Sequence, residues 1–523
     1  MIIEGKSDVP VYLYIRDKQV EIKDASQLWG LGALETTDHI QKEIADPDAS
    51  VAVIGQAGEN QVLFAAVIND RGRAAGRAGG GAVLGAKNLK AVAVNGTQTI
   101  EVKDPEGFRA AVLEAENNLS RYPFEGVNQL GTPLLVSIMN GTGSLPTKNF
   151  ELSQFKDAYA IGAESLTTKH LIKRRACYGC SMACGRYTVV EDGEWRTPPG
   201  EGPEYETIDM LGAMSCNNDL AAIIHANHLC NDLGLDTIST GAAISFAIDC
   251  YEKGVIKANE FEECPLRWGD ASMIVRLVQK IAHRDGLGDL LANGVKRAAE
   301  RLGDQAEDCA LHVKGLEVPG HDPRGESKVM ALQYAVSPRG ACHMHPNWAA
   351  VWDSGNFECG MRVFGLPWPP TDKYAEVGYQ KGLAYRYISV HGEISEVVGA
   401  CVFHSFGPAD SCITPSLYAR MLQSLTGFAI DEFELFKAAD RSWVMKRCFN
   451  TREGFRRKDD VIPNRLRREL ADGPAKGQAV TDVDGMIDEY FEACGWDQET
   501  GIPKVETLQD LGLFDVAEDL ALT

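Results

Sequence analysis

Cys177-Tyr178-Gly179-Cys180-Ser181-Met182-Ala183-Cys184 places three thiols within eight residues, behind the lead-in Lys173-Arg174-Arg175 and ahead of Gly185. Iron-sulfur clusters are held by closely spaced Cys thiolates, with a fourth often arriving from a distant segment. Cys401 is the candidate for that fourth ligand. A helical reading puts positions 177, 180 and 184 on one face, as small core residues. Gly179, Gly185 and the three preceding charges count against a buried helical face. A closed structural zinc site needs a fourth ligand close by, and none follows. The bacterial ferredoxin order fails too, because it carries further Cys and a Pro directly downstream. What remains is one sparse cluster inside a large enzyme.

Size and composition agree with that reading. A chain of 523 residues holds roughly two to four domains and buries a core large enough to enclose a cofactor. Its fourteen Cys, mostly scattered singly, read as reduced intracellular thiols rather than a disulfide framework. The opening Met1-Ile2-Ile3-Glu4-Gly5-Lys6 lacks the basic region and apolar stretch of a secretory signal, and no apolar run reaches bilayer length. A cytoplasmic protein is expected, without a membrane partner. With 74 acidic against 52 basic side chains, the net charge of -22 disfavours nucleic acid and makes any basic cluster informative.

The expected fold class is α+β. Short β-rich runs at residues 11–15, 50–54, 62–68 and 90–94 mark an N-terminal sheet module. Residues 69–87 read as a Gly-rich, Arg-rich loop that lets backbone amides and guanidinium groups approach an anion. It matches neither the Walker nor the dinucleotide fingerprint. From Asp104 onward, spacings of three and four predict helices near 108–118, 221–233, 273–282, 290–302, 417–425 and 431–445. Gly and Pro loops at 198–203, 319–325 and 366–370 mark boundaries or active-site linings. The chain divides near 103 and 320: a β-rich unit at 1–103, then mainly helical units at 104–320 and 321–523.

Two segments share a form. Asn231-Asp232-Leu233-Gly234-Leu235-Asp236 and Glu396-Val397-Val398-Gly399-Ala400-Cys401 each follow a helical pattern and carry a polar group, a Gly and a terminal polar or thiol residue at matching offsets. The first alone would be an ordinary helix end at Gly234. Two copies, one ending in Cys, shift the balance.

With the Cys177 motif and the Gly-Arg loop, these segments closely resemble the aldehyde:ferredoxin oxidoreductase family of tungsten and molybdenum enzymes. The resemblance extends through Gly202-Pro203-Glu204-Tyr205-Glu206, Ser337-Pro338-Arg339-Gly340-Ala341-Cys342-His343, Phe449-Asn450-Thr451-Arg452 and the closing Gly495-Trp496-Asp497. It implies a tungsten or molybdenum ion held by the dithiolenes of two pterins where three domains meet, beside one [4Fe-4S] cluster. Asn231, Gly234, Leu235 and Asp236 would then serve one pterin, and Glu396 and Gly399 the other. Cys177, Cys180, Cys184 and Cys401 would hold the cluster, and Arg73, Ala74, Ala75, Gly76 and Arg77 would meet phosphates bridged by magnesium. Asn231 and Glu396 stand where the family usually has Asp, and both keep an acceptor oxygen. Family chains begin before this Met1, so the N-terminal unit is expected to be incomplete or completed by a separate polypeptide.

The implied reaction oxidises an aldehyde to a carboxylic acid, with Glu206 and His343 managing protons and Glu204 and His345 as rivals for those roles. Electrons would pass through the cluster to ferredoxin, steered by Lys173, Arg174 and Arg175. A homodimer is a further expectation. The family's benzoyl-CoA-type ring-reducing branch is the alternative reaction, and a non-catalytic iron-sulfur electron-transfer or assembly protein is the alternative of another class.

Overall fold

Six strands build the N-terminal sheet: β1 (Val11–Arg16), β2 (Gln19–Asp24), β3 (Ser50–Val53), β4 (Val67–Asn69), β5 (Arg73–Ala75) and β6 (Leu89–Asn95). In the computed structural model, which describes residues 2–120, 124–354, 380–405 and 411–520, their order is β2-β1-β6-β3-β4-β5. The β1–β6 pair is parallel and the others are antiparallel. Alternation places Tyr12 and Tyr14 of β1 in the core, whereas β6 is buried over its first five residues, as a central strand should be. β2 is almost wholly exposed, its alternating Val20 and Ile22 included, and was not among the expected strands.

The expected strand at 62–68 is one only from Val67 onward. Residues before it form a buried turn whose backbone bonds reach distant segments: Leu63 N–H to Ala292 O, Ala66 N–H to Gly234 O, and Asp236 N–H to Phe64 O. Nor is 69–87 a loop throughout, since it contains β5 and the helix Gly80–Ala86. The glycines of that helix serve packing: a Cβ on Gly85 would lie 1.9 Å from the Gly58 carbonyl oxygen.

Beyond the sheet the chain is mainly helical, and the class is α+β as expected. Helices Leu220–Leu233 and Ala271–His283 fall where the spacing predicted them. Thr237–Glu252 was not foreseen, because a helix buried on nearly every side shows no polar stripe. The C-terminal core gathers Trp443, Tyr490 and Trp496 between helices Lys381–Val398, Glu432–Arg452 and Val483–Cys494, with the Trp443 indole donating to the Tyr490 hydroxyl at 2.7 Å. Helix Pro105–Leu119 packs its Ala111 and Ala115 with Leu417 and Tyr418 of helix Pro415–Thr426. A division near 103 therefore assigns it to the second unit although it packs with the third. The boundary expected at 366–370 lies outside the described residues. No helix among them is long and apolar enough to cross a membrane.

Candidate active site

Strand Leu171–Arg175 pairs antiparallel with Gly185–Thr188, and the Arg175–Gly185 pair closes a loop that carries Cys177, Cys180 and Cys184. The motif is thus a loop between strands and not a helical face. Cys401 arrives from the far side, where Gly399 ends helix Lys381–Val398 in the left-handed region at φ 71°. Cys401 lies within electrostatic reach of Cys177, Cys180 and Cys184, and His404 Nε2 stands 3.6 Å from Cys180 Sγ. None of the four is in a disulfide. Burial, then the Glu204 charge, pushes the Cys184 thiol up to about 12. Such a thiol needs a cationic partner to ionise, which is what an iron-sulfur core supplies. The donor set therefore fits a cluster.

Arg73, on β5, joins this region to the sheet. Its guanidinium stands 3.3 Å from both Glu201 and Glu204 and feels the thiols of Cys177, Cys184 and Cys401. Arg175, expected to steer a carrier, instead turns inward, 2.7 Å from Glu201 Oε2 and donating to the Asp70 carbonyl at 3.0 Å. Lys173 over the Tyr187 ring and Arg174 against Asn128 stay exposed, beside a fully exposed Tyr178.

A cavity of about 360 Å³ opens between β5 and the first paired segment. Arg73, Ala74, Gly76, Arg77, Asn231, Leu235 and Asp236 line it, together with Glu204 and Glu206. Ala75 and Gly234 do not. Gly234 acts behind the wall, at φ 74°, where a Cβ would meet the Gly55 nitrogen at 2.7 Å. Asp236 accepts from the Ile238 and Ser239 amides at the start of the next helix and faces Arg77 Nε at 3.6 Å. Arg73 Nε and Arg77 Nε are buried without a hydrogen bond among the described residues, so the wall offers donors to an anionic or polar occupant. These residues fit a pterin with its phosphate.

The second segment lies across from it. Glu396 Oε1 is 3.8 Å from His345 Nδ1, and that contact, helped by Lys446 and Arg339, holds the carboxyl below its usual range. Arg339 lies within electrostatic reach of both Glu396 and Asp236, so the two segments share one guanidinium neighbour.

Glu206 begins helix Tyr205–Leu211 and faces three groups at once. Its Oε1 lies 3.2 Å from His343 Nδ1 and 3.3 Å from His321 Nε2, while its Oε2 accepts from the Gly320 amide at 2.7 Å. These ligand-type atoms of Glu206, His321 and His343 all lie within 4.8 Å of one another, a compact acid–base group. Burial raises the Glu206 carboxyl above its usual range, and burial with the His321 charge drives His343 well below its own. The rivals separate by place: Glu204 binds Arg73 and Thr132 on the side of the cysteine loop, and His345 binds Glu396. Sequence reasoning missed His321, although it marked the loop at 319–325 as a possible lining. It also missed Glu326, which holds His321 Nδ1 at 3.2 Å.

A family model described as "Aldehyde ferredoxin oxidoreductase, domains 2 & 3" matches residues 110–513, and one described as "Aldehyde ferredoxin oxidoreductase, N-terminal domain" matches residues 1–96. The chain is 38% identical to a tungsten-containing aldehyde ferredoxin oxidoreductase of Pyrococcus furiosus over 98% of its own length and 82% of the relative's. A relative of the same description from Thermococcus kodakarensis is 38% identical, with the same 98% and 82% covered. An "Aliphatic sulfonate oxidoreductase, WOR-like subunit" of Pyrococcus furiosus is 29% identical, covering 99% of this chain and 81% of that one. Among solved structures, the "Active site complex BamBC of Benzoyl Coenzyme A reductase in complex with 1,5 Dienoyl-CoA" superposes with a TM-score of 0.80 at 28% identity, over 98% of this chain and 81% of that one.

Proposed function

The chain belongs to the aldehyde ferredoxin oxidoreductase family, an oxidoreductase family, and from its site we propose that it oxidises an aldehyde to a carboxylic acid and passes the electrons to ferredoxin or a similar carrier. In this reading Asn231, Leu235 and Asp236, with Arg73 and Arg77, hold one pterin of a tungsten bis-pterin; molybdenum would suit the same donors. Glu396 and Gly399 would address the other pterin, residues 73–77 would meet the phosphates and a magnesium ion, and Cys177, Cys180, Cys184 and Cys401 would hold one [4Fe-4S] cluster. When bound, the metal centre supplies a two-electron acceptor. The chain's own residues do the rest.

Adding a water oxygen to an aldehyde carbon requires a base for the water proton and a donor for the developing alkoxide. Glu206 Oε1, facing His343 at 3.2 Å, is the base. Burial keeps His343 neutral, so one ring nitrogen carries a proton for the substrate oxygen while the other accepts. The observation that carries this reading is the meeting of Glu206 and His343 beside a cavity walled by the Gly-Arg loop and the first paired segment.

One observation favours a second reaction on the same scaffold. The benzoyl-coenzyme A reductase complex superposes over almost the whole chain, and a ring-reducing enzyme would use the same acid–base group to deliver protons. Purified protein should contain tungsten and pterin and reduce a viologen dye with short aldehydes. Tungsten without aldehyde activity, together with viologen-driven reduction of an aromatic thioester, would favour the second reaction. Iron alone would leave an electron-transfer protein.

A further inference from the structure

We propose that Glu326 and His321 form a dyad that sets the protonation and orientation of Glu206, making His321 a positioning residue for the proton chemistry of this site. The inference rests on the reading of Glu206 as the base, and goes beyond it by naming what keeps a buried carboxyl in the form a base requires.

Geometry carries the case. The His321 ring is buried: Nδ1 is hydrogen-bonded to Glu326, 3.2 Å from each of its oxygens, and Nε2 lies at ion-pair distance, 3.3 Å, from Glu206 Oε1. Three rings fix its plane. It stacks on His343 at 4.8 Å and tilts against Tyr205 at 5.0 Å and Trp348 at 5.2 Å. Glu326 is held in turn by the Trp348 indole, which donates to Oε1 at 3.0 Å, and Glu206 is held from the other side by the Gly320 amide. The result is a carboxylate–imidazole–carboxylate row, a ring aimed by one acid at another.

A carboxyl removed from water favours its neutral form, which cannot act as a base. Imidazolium between two carboxylates offsets part of that preference, so Glu206 ionises at a lower pH than burial alone would allow, although it stays above its usual range. Although burial pulls the His321 ring down, Glu326 and then Glu206 outweigh it, and the ring is held above its usual range. The other charged and titratable groups around the row are Asp209, which faces Gly320, and Asp236 on the Glu206 side; Tyr205, Tyr334 and Asp322; and Arg77 and Arg339, which face His343. Among these neighbours, Asp209 and Asp236 oppose the ionisation of Glu206, whereas Arg77 favours it.

The test uses the holoenzyme and the variants Glu326→Gln, Glu326→Asp, His321→Gln and Glu206→Gln. With Glu326→Gln, the ring loses its anionic partner and Glu206 its cationic one. The acidic limb of the kcat profile should then move up by about one pH unit, with kcat lowered about 10–100-fold and KM changed less than about twofold. His321→Gln should move the limb the same way, and Glu326→Asp should restore it. A second readout needs no turnover: the infrared carboxyl band assigned to Glu206 by subtracting the Glu206→Gln spectrum should persist to higher pH in both neutral variants. An unmoved limb and an unmoved infrared midpoint, whatever happens to kcat, overturn the proposal. If the wild-type holoenzyme oxidises no aldehyde, the functional reading fails, and the infrared titration still decides the dyad. If Glu326→Gln does not fold, His321→Gln decides both measurements.

Discussion

Nδ1 of His343 lies 3.2 Å from Oε1 of Glu206, and burial acts on the two in opposite directions, raising the acid and lowering the base. His343 is thereby kept neutral, and Glu206, acting as base, can hold the proton it takes as a neutral acid 3.2 Å from an imidazole nitrogen able to accept it. Glu206→Gln and His343→Phe should each lower kcat by about 10²–10⁴-fold while cofactor content stays constant. Metal analysis alongside steady-state kinetics checks both halves of the statement.

A buried acid also leaves its mark on stability. Asp209 is fully buried, with neither oxygen hydrogen-bonded among the described residues, and burial followed by the charges of Glu206 and Asp322 raises its carboxyl well above the usual range. A carboxyl whose folded pKa is raised contributes stability below its unfolded pKa and loses it as pH rises through the folded pKa. Asp209→Asn removes that loss. Its Tm should differ little from wild type near pH 3.5 and exceed it increasingly as pH rises, by on the order of 1 kcal/mol or more in unfolding free energy at neutral pH. Thermal melts across pH would show parallel curves if the idea is wrong.

Cys401 is the long-range test of the cluster, because it reaches the 177–184 loop from the end of a helix more than two hundred residues later. Cys401→Ala should lose most protein-bound iron and the visible absorption of the cluster. The fold should survive, since Cys401 is exposed and outside the hydrophobic cores. Iron retained at the wild-type level would exclude it as a ligand.

Arg73 places a cation beside that cluster loop, 3.3 Å from Glu201 and Glu204. Arg73→Gln removes positive charge where an added electron would sit. The cluster potential should fall by roughly tens of millivolts, measured by electron paramagnetic resonance under redox titration.

How much of this was legible in the sequence depends on range. The three close Cys and the paired Gly segments are local patterns, so a linear reading finds them, and the family follows from them. His321 was not legible, because its partner Glu206 comes from a distant stretch, and neither a lone His in a Gly-Pro loop nor a Glu five residues on carries a spacing signal. Arg175 was misread for a similar reason: within a run of three bases nothing distinguishes the residue that turns toward buried Glu201 from the two that stay outside. The all-buried helix Thr237–Glu252 escaped because it lacks the one-sided burial that produces a periodic pattern, whereas the edge strand β2 does alternate, at Val20 and Ile22, but over only six residues with both apolar side chains exposed.

Lys173 and Arg174 are exposed on the strand leading into the cluster loop, next to exposed Tyr178, on a chain whose net charge is -22. An acidic carrier would be repelled by the molecule as a whole and drawn to a local basic corner such as this one, so the local charges should govern encounter more than final affinity. Lys173→Glu with Arg174→Glu should slow reduction of an acidic ferredoxin about tenfold at low salt, with the difference shrinking as salt screens it. Reduction of a small viologen should be unchanged. Arg175→Glu should behave differently, because it puts an acid beside buried Glu201 and harms the fold around the cluster with either acceptor. Stopped-flow rates with both acceptors separate the two cases: equal loss for both in the Lys173→Glu, Arg174→Glu protein would move the docking site elsewhere.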